Sequence, residues 1–109
     1  MSLAEADIAF AKELFSDLPD ITTRRMFGGM SIYSNGVIFA LMRSDAQIFI
    51  KSQDSNFDAK LADMGAQKWA YTRKNGTETA MPYWTLPQDA LDDSDLATAL
   101  AREALDLLR

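Results

Sequence analysis

The chain has 109 residues, 48% of them hydrophobic and 25% charged, with a net charge of −5, which is the composition of one globular domain with a single core. It contains neither cysteine nor histidine, which excludes disulfides, thiolate nucleophiles, the usual zinc ligands and the usual general base at neutral pH. We therefore expect no catalytic residue, no cofactor and no metal site.

The first predicted element is a helix over residues 4–18, in which apolar side chains recur at helical spacing. Its apolar face comprises Ile8, Phe10, Ala11, Leu14, Phe15 and Leu18. Pro19 lies just beyond the last of these positions and ends the helix. The acids near its start, Glu5 and Asp7, differ from the basic start of a signal peptide. No apolar run is long enough to cross a bilayer, so we expect a cytoplasmic protein with no membrane partner.

A meander of antiparallel strands is predicted next. The four strands cover residues 22–27, 30–34, 37–43 and 47–51. Asn35-Gly36 joins the second and third strands and suits a type I′ turn, in which both central residues have positive φ. The third strand is almost entirely apolar, which predicts that both of its faces are covered.

A short helix over residues 55–64, capped by Asp54 or Ser55, precedes a second hairpin of strands 67–73 and 77–86. Pro82 cannot donate to a ladder, so its strand is predicted to lie at an edge or to carry a bulge. A final helix covers residues 95–108. The predicted fold class is α+β, a single antiparallel sheet of five to six strands with an N-terminal, a short middle and a C-terminal helix.

The charges are unevenly distributed. Residues 21–51 hold four basic residues against one acid, whereas residues 1–20 and 87–109 are strongly acidic. The acidity of the whole chain argues against direct nucleic-acid binding, since a phosphate backbone would be repelled. The basic middle permits a local site for an anion or an acidic partner. Solvated surface charges are the alternative interpretation.

Arg24-Arg25-Met26-Phe27-Gly28-Gly29-Met30 is the most distinctive segment. Adjacent side chains on a strand point to opposite faces, so one arginine can bind a carboxylate or phosphate on a given surface; a pair of surface charges is the alternative. Phe27-Gly28-Gly29 lacks the spacing of a phosphate-binding loop. The two glycines therefore indicate a bend or bulge of the backbone.

The second hairpin carries four aromatic residues, Trp69, Tyr71, Tyr83 and Trp84. An exposed ring beside Lys51, Lys68 or Arg73 would make a protein-binding hot spot or a base-stacking platform; packing of at least two of them in the core is the alternative. The acids Asp89, Asp92, Asp93 and Asp95 lack calcium-loop spacing and indicate helix capping instead.

Several separated motifs agree in order with one known family. They are Arg24 to Gly29, Ile32-Tyr33-x-x-Gly36-Val37-x-Phe39-Ala40, Tyr71-x-Arg73-x-x-Gly76, Met81-x-Tyr83-Trp84-x-Leu86-Pro87, and Leu91-Asp92-Asp93. With these motifs the chain resembles the N-terminal domain of the competence regulators called TfoX or Sxy, over residues 5–108.

The resemblance implies a single TfoX N-terminal-like domain over residues 1–109, bacterial and cytoplasmic, with a secretion-chaperone-like arrangement. In two-domain relatives this domain is followed by a helical domain, in a protein that promotes transcription of DNA-uptake genes with the cyclic-AMP receptor protein. No enzymatic activity and no cofactor are implied. A stand-alone domain is expected to keep the fold and a partner surface, with or without the regulatory role of the two-domain relatives.

Two functions remain open at this point. The first is a non-enzymatic protein-interaction module in transcriptional regulation, whose partner is a protein such as the cyclic-AMP receptor protein. Its partner-binding residues are predicted to be Arg24, Arg25, Phe27, Gly28, Gly29, Arg43, Lys51, Tyr83 and Trp84. The second is a domain that binds a small acidic ligand between an arginine and Tyr83 or Trp84. A homodimer is a further expectation, since the last helix is apolar over a wide arc and the edge strands need protection.

Overall fold

The computed structural model describes residues 4–26, 28–72 and 74–108, and the side chains of Tyr71 and Thr72 are outside that description. The elements in chain order are α1 (Glu5–Leu14), β1 (Ile21–Met26), β2 (Gly29–Ser34), β3 (Val37–Met42), β4 (Ile48–Lys51), α2 (Ser55–Asp63), β5 (Lys68–Thr72), β6 (Glu78–Thr85), α3 (Gln88–Leu91) and α4 (Ser94–Leu108). The six strands form one sheet in the order β1-β2-β3-β4-β6-β5, and every neighbouring pair is antiparallel. The α+β fold with a single antiparallel sheet is confirmed.

The hydrophobic core lies between one face of the sheet and the helices. Alternate positions of the central strands, Met30, Ile32, Ala40, Met42, Ile48 and Ile50, belong to the same buried cluster as residues from all four helices that the structure describes. Phe15, just after α1, meets Phe39 of β3 edge to face, with ring centroids 5.1 Å apart. Phe49 and Tyr83 are also buried but lie outside this cluster, because they project from the other face of the sheet.

The prediction that both faces of β3 are covered is therefore wrong. Described helices cover one face, and on the other face Leu41 is half-buried. The pairing of β3 with β2 shifts register opposite Ile32 and Tyr33. Because this shift interrupts the alternation of side chains between the two faces, an apolar run in β3 does not require both faces to be covered. Phe10 was also assigned to the wrong environment, since it is 45% exposed.

The second hairpin corrects one more expectation. β6 lies between β4 and β5, so the strand that contains Pro82 is not an edge. Its pairing with β5 shifts register between Lys68 and Ala70, which agrees with the alternative prediction of a bulge. The edges of the sheet are β1 and β5. The sequence analysis also missed α3, a helix of four residues directly after Pro87.

The predicted turn at Asn35-Gly36 and the predicted caps of α2 and α4 are confirmed, whereas α1 ends at Leu14 and does not continue to residue 18 before Pro19. Asn35 and Gly36 have φ values of 50° and 79°, and Ser34 pairs with Val37 across them, as in a type I′ turn. The Asp54 carboxylate accepts a hydrogen bond from the Phe57 amide at the start of α2. The Asp93 carboxylate accepts from the amides of Asp95 and Leu96 at the start of α4.

Candidate interaction surface

The face of the sheet opposite the helices, called the open face below, is organised as a cross-strand row. Residues paired across neighbouring strands share a face, and successive pairs link Arg24, Ser31, Leu41, Phe49 and Thr85 from β1 to β6. The Ser31 hydroxyl donates to Tyr33 Oη at 3.1 Å, and Tyr33 lies on this face as well. The open face thus carries a cation at its β1 edge and aromatic rings farther along the sheet.

Arg24 and Arg25 lie on opposite faces. Arg24 pairs with Ser31 on the open face, and Arg25 pairs with Met30 of the core face. Both side chains are exposed. Arg25 lines a cleft of about 480 Å³ between α1 and β1, together with Lys12 and Thr23. The two arginines therefore cannot grip one ligand together.

Glycine is needed at positions 28 and 29 for two different structural reasons. Gly28 has a φ of 80°, a conformation that disfavours residues with a side chain. At Gly29, a Cβ atom would collide with the Met42 carbonyl oxygen and lie 3.2 Å from Arg43 Cα. A bend with a close backbone approach, and not a phosphate loop, explains both residues. Phe27, also predicted for the partner surface, lies outside the described residues.

Arg43 is the centre of a stack on the open face. Its Cζ atom lies 4.7 Å from the centroid of the Phe49 ring and 5.5 Å from that of Trp69, and these two rings are 5.2 Å apart. Asp45 accepts from the Arg43 guanidinium at 2.6 Å and Gln47 accepts at 3.0 Å. The hydrogen bond from Arg43 lowers the pKa of the Asp45 carboxyl. Arg43 is therefore held by its own turn and stabilises the rings by cation–π contact.

Lys51 and Tyr83 pair across β4 and β6 on the open face. Tyr83 is 8% exposed. Burial raises the pKa of its hydroxyl, and the nearby charge of Tyr33 raises it further. The Tyr83 ring is too buried to offer a stacking surface. Lys51, by contrast, is half-exposed, and it forms no ion pair with any residue that the structure describes.

Trp84 belongs to the opposite face. It pairs with Ile50 and packs against the core, and its indole Nε1 donates to the Asp58 carboxylate at 3.0 Å. The Ser52 hydroxyl donates to the same carboxylate oxygen. Asp58 therefore links α2 to the sheet, and Trp84, which was predicted for the partner surface, is separated from Tyr83 and Arg43 by the sheet.

Charge separates between the layers. The four helices hold nine acidic and three basic residues, whereas the described strands hold one acidic residue, Glu78, and four basic ones. On the open face the cations are Arg24, Arg43 and Lys51. Within the described parts of the chain, no group of acidic residues could hold a metal ion, and no helix is long and apolar enough to span a membrane.

The structure thus brings Arg24, Arg43, Lys51 and Tyr83 to one face and sends Arg25 and Trp84 to the other. Sequence reasoning missed the contribution of Phe49 and of the Arg43-Asp45-Gln47 turn. The sequence did contain a signal for this arrangement: Arg43 lies two residues before Asp45 and six residues before Phe49 of the next strand.

A family model described as the TfoX N-terminal domain matches residues 13–108, nearly the whole chain. A search of curated proteins finds no match.

Proposed function

This chain belongs to the TfoX N-terminal domain family, and on that premise we propose that it is a non-enzymatic protein-interaction module that acts in transcriptional regulation, with the open face as its contact surface. The observation that carries the proposal is the position of Arg24 and Lys51, beside the Arg43 stack, on the one sheet face that no described helix covers. A helix-free face that carries cations and partly exposed rings has the chemistry of a binding surface.

The non-enzymatic part rests on chemistry. The chain has no histidine and no cysteine, and several of its carboxylates are engaged in contacts within the fold. Asp54 and Asp93 cap helices, Asp45 binds Arg43 and Asp58 binds Ser52 and Trp84. A general acid or base needs a carboxyl group that is free to exchange a proton with a substrate.

A protein is a better partner than a nucleic acid. The net charge is −5, which opposes long-range attraction of a phosphate backbone. Base stacking needs rings with a free, exposed face, yet Phe49 and Tyr83 are buried and Tyr33 and Trp69 are only partly exposed. A cytoplasmic transcription regulator that presents an acidic surface is the partner class that we propose.

The test is affinity capture from a bacterial lysate with charge-reversal variants in matched pairs. Arg24→Glu and Lys51→Glu change the open face, whereas Arg25→Glu and Lys68→Glu make the same change on the helix-covered face. We expect the first two to lose a regulator or polymerase component that the wild type and the two controls retain. Retention by all four variants would contradict the proposed surface.

A second candidate function, binding of a small acidic ligand, is favoured by the cleft between α1 and β1. Its lining includes the cations Lys12 and Arg25 and the single acid Glu5, together with Thr23 and the apolar residue Ile8. This differs from the site predicted from the sequence, because neither Tyr83 nor Trp84 lines this cleft. Thermal-shift screening with nucleotides and organic acids tests it, since a ligand stabilises the folded state by mass action. A shift that Arg25→Glu abolishes and Arg24→Glu leaves intact would favour this function.

A further inference from the structure

A cavity of about 260 Å³ opens at the end of the open face where the β1–β2 and β3–β4 turns lie. Its walls include Met26, Gly29, Leu41, Arg43, Ser44 and Trp69. Most of this lining is apolar. The cavity lies beside the Arg43 stack, so its Trp69 wall is held in place by the Asp45 and Gln47 hydrogen bonds to Arg43.

Met26 makes the cavity adaptable. It is 43% exposed although it is a large apolar residue, and its unbranched, polarisable side chain can adjust to the shape of an inserted group. A rigid aromatic wall and a flexible thioether wall suit a single large apolar side chain, such as leucine, phenylalanine or tryptophan. Such an anchor in a pocket at the centre of a contact is the usual source of binding energy between proteins.

Arg24 supplies the charge beside this cavity. It lies two residues before Met26 on the same face of β1, about 6.7 Å away along the strand. Its guanidinium forms no hydrogen bond or ion pair with any residue that the structure describes. Arg43, by contrast, is neutralised by Asp45. Arg24 is thus the cation next to the cavity that remains available to a carboxylate.

We propose that this cavity and Arg24 together form an anchor site for an acidic, extended peptide segment of a partner protein, in which one large apolar side chain lies close to an aspartate or glutamate. The apolar side chain fills the cavity and the carboxylate binds Arg24. The proposal rests on the protein-interaction function proposed above. A second copy of this chain is a poorer occupant, because a two-fold contact through this face would set two surfaces with the same positive charge against each other.

The experiment is selection of binding peptides from a random-sequence phage library on the full chain. The affinity of the selected peptides is then measured by Trp69 fluorescence in a Trp84→Phe background. We expect enrichment of peptides that combine an acid with a leucine, phenylalanine or tryptophan nearby. Failure to enrich any peptide, or enrichment of basic peptides, would overturn the proposal.

Two matched pairs of variants locate the site. Arg24→Glu and Met26→Asp should each weaken the selected peptide by about tenfold or more, the effect of losing a hot-spot contact. Arg25→Glu, on the other face, and Leu107→Asp, an equally exposed apolar residue on α4, should leave the affinity within about twofold. An equal loss with Arg25→Glu would refute the site and indicate pairing along the β1 edge instead.

The outcomes separate this proposal from the proposed function. Lysate capture that Lys51→Glu abolishes and Met26→Asp leaves intact would keep the open face as an interface and remove the anchor site. An oligothymidylate that binds more tightly than the selected peptide, and loses its affinity in Arg24→Glu, would overturn both and indicate a nucleic-acid surface.

Discussion

Arg24 pairs with Ser31 on the open face while its neighbour Arg25 pairs with Met30 beside α1. The two adjacent arginines therefore place one cation on each face of the sheet, at its β1 edge. Replacing both arginines at once would change two unrelated surfaces, the open face and the α1–β1 cleft. Single substitutions are needed to assign an effect to either one.

The first prediction concerns the stability of these single variants. Both side chains are exposed and form no ion pair with a described residue, so Arg24→Ala and Arg25→Ala should each change the free energy of unfolding by less than about 0.5 kcal/mol. Urea denaturation followed by circular dichroism measures this. A larger loss in either variant would show that the arginine contributes to folding and would disqualify it as a probe of binding.

The second prediction concerns Gly29. Gly29→Ala should destabilise the protein by about 2 kcal/mol or more, because the new methyl group would force the β2 backbone away from the Met42 carbonyl. Gly36→Asn is the matched control: it lies in open space with a φ of 79°, which asparagine tolerates, so its cost should stay below about 1 kcal/mol. Equal midpoints of urea denaturation for the two variants would contradict the close approach at Gly29.

The third prediction concerns Asp58. Asp58→Ala removes the acceptor for the Ser52 hydroxyl and the Trp84 indole, and leaving such donors unpaired should cost about 1–3 kcal/mol of unfolding free energy. Asp63→Ala is the control, since Asp63 is exposed near the end of the same helix. The tryptophan emission should shift in Asp58→Ala and stay unchanged in Asp63→Ala. Equal stability of both variants would refute the role of Asp58 as the link between α2 and the sheet.

The fourth prediction is the behaviour of Tyr83 at alkaline pH. Its pKa is raised in the folded protein by burial and by Tyr33, so its contribution to stability is present below the unfolded-state pKa of about 10 and is lost as the pH rises towards the folded pKa. Wild-type stability should fall more steeply above that pH than the stability of Tyr83→Phe. In a tyrosinate absorbance titration, Tyr83→Phe should remove the last ionisation step, and Tyr33→Phe should move that step to lower pH.

The fifth prediction concerns Asp45. The Arg43 hydrogen bond lowers its pKa, so the interaction favours the folded state above the unfolded-state pKa of about 3.9 and is lost as the pH falls through the lower, folded value. In a Trp84→Phe background, Trp69 fluorescence should change over that acid range as Arg43 is released. Asp45→Asn should abolish the change. A transition that persists in Asp45→Asn would assign it to another group.

Sequence reasoning recovered the elements that depend on local signals. The Asn35-Gly36 turn and the Asp54 and Asp93 caps depend only on residues that are close in sequence, so they could be predicted from the sequence alone. The separation of Arg24 from Arg25 followed from strand geometry alone. The family was recognised from separated motifs and is confirmed by the match over residues 13–108.

Contacts between distant segments were not predictable from the sequence. Pro82 was consistent with both an edge and a bulge, and the choice depended on where β5 docks. The burial of Phe49 could not be predicted from its own strand, because Arg43 and Trp69 cover its ring from two other parts of the chain. Phe10 followed helical periodicity and is nevertheless exposed, because the buried stripe of α1 runs through Ala11 and Leu14 and does not include it.

The segregation of acidic helices from a basic sheet also has a kinetic consequence. Opposite charges on the two layers give the molecule an electric dipole that runs through the sheet. In the field of an acidic partner, such a dipole would turn the open face towards the partner before the surfaces touch, which raises the association rate and makes that rate fall as salt is added. Stopped-flow measurements across a range of ionic strength would register this orientation as a slope that Arg24→Glu reduces.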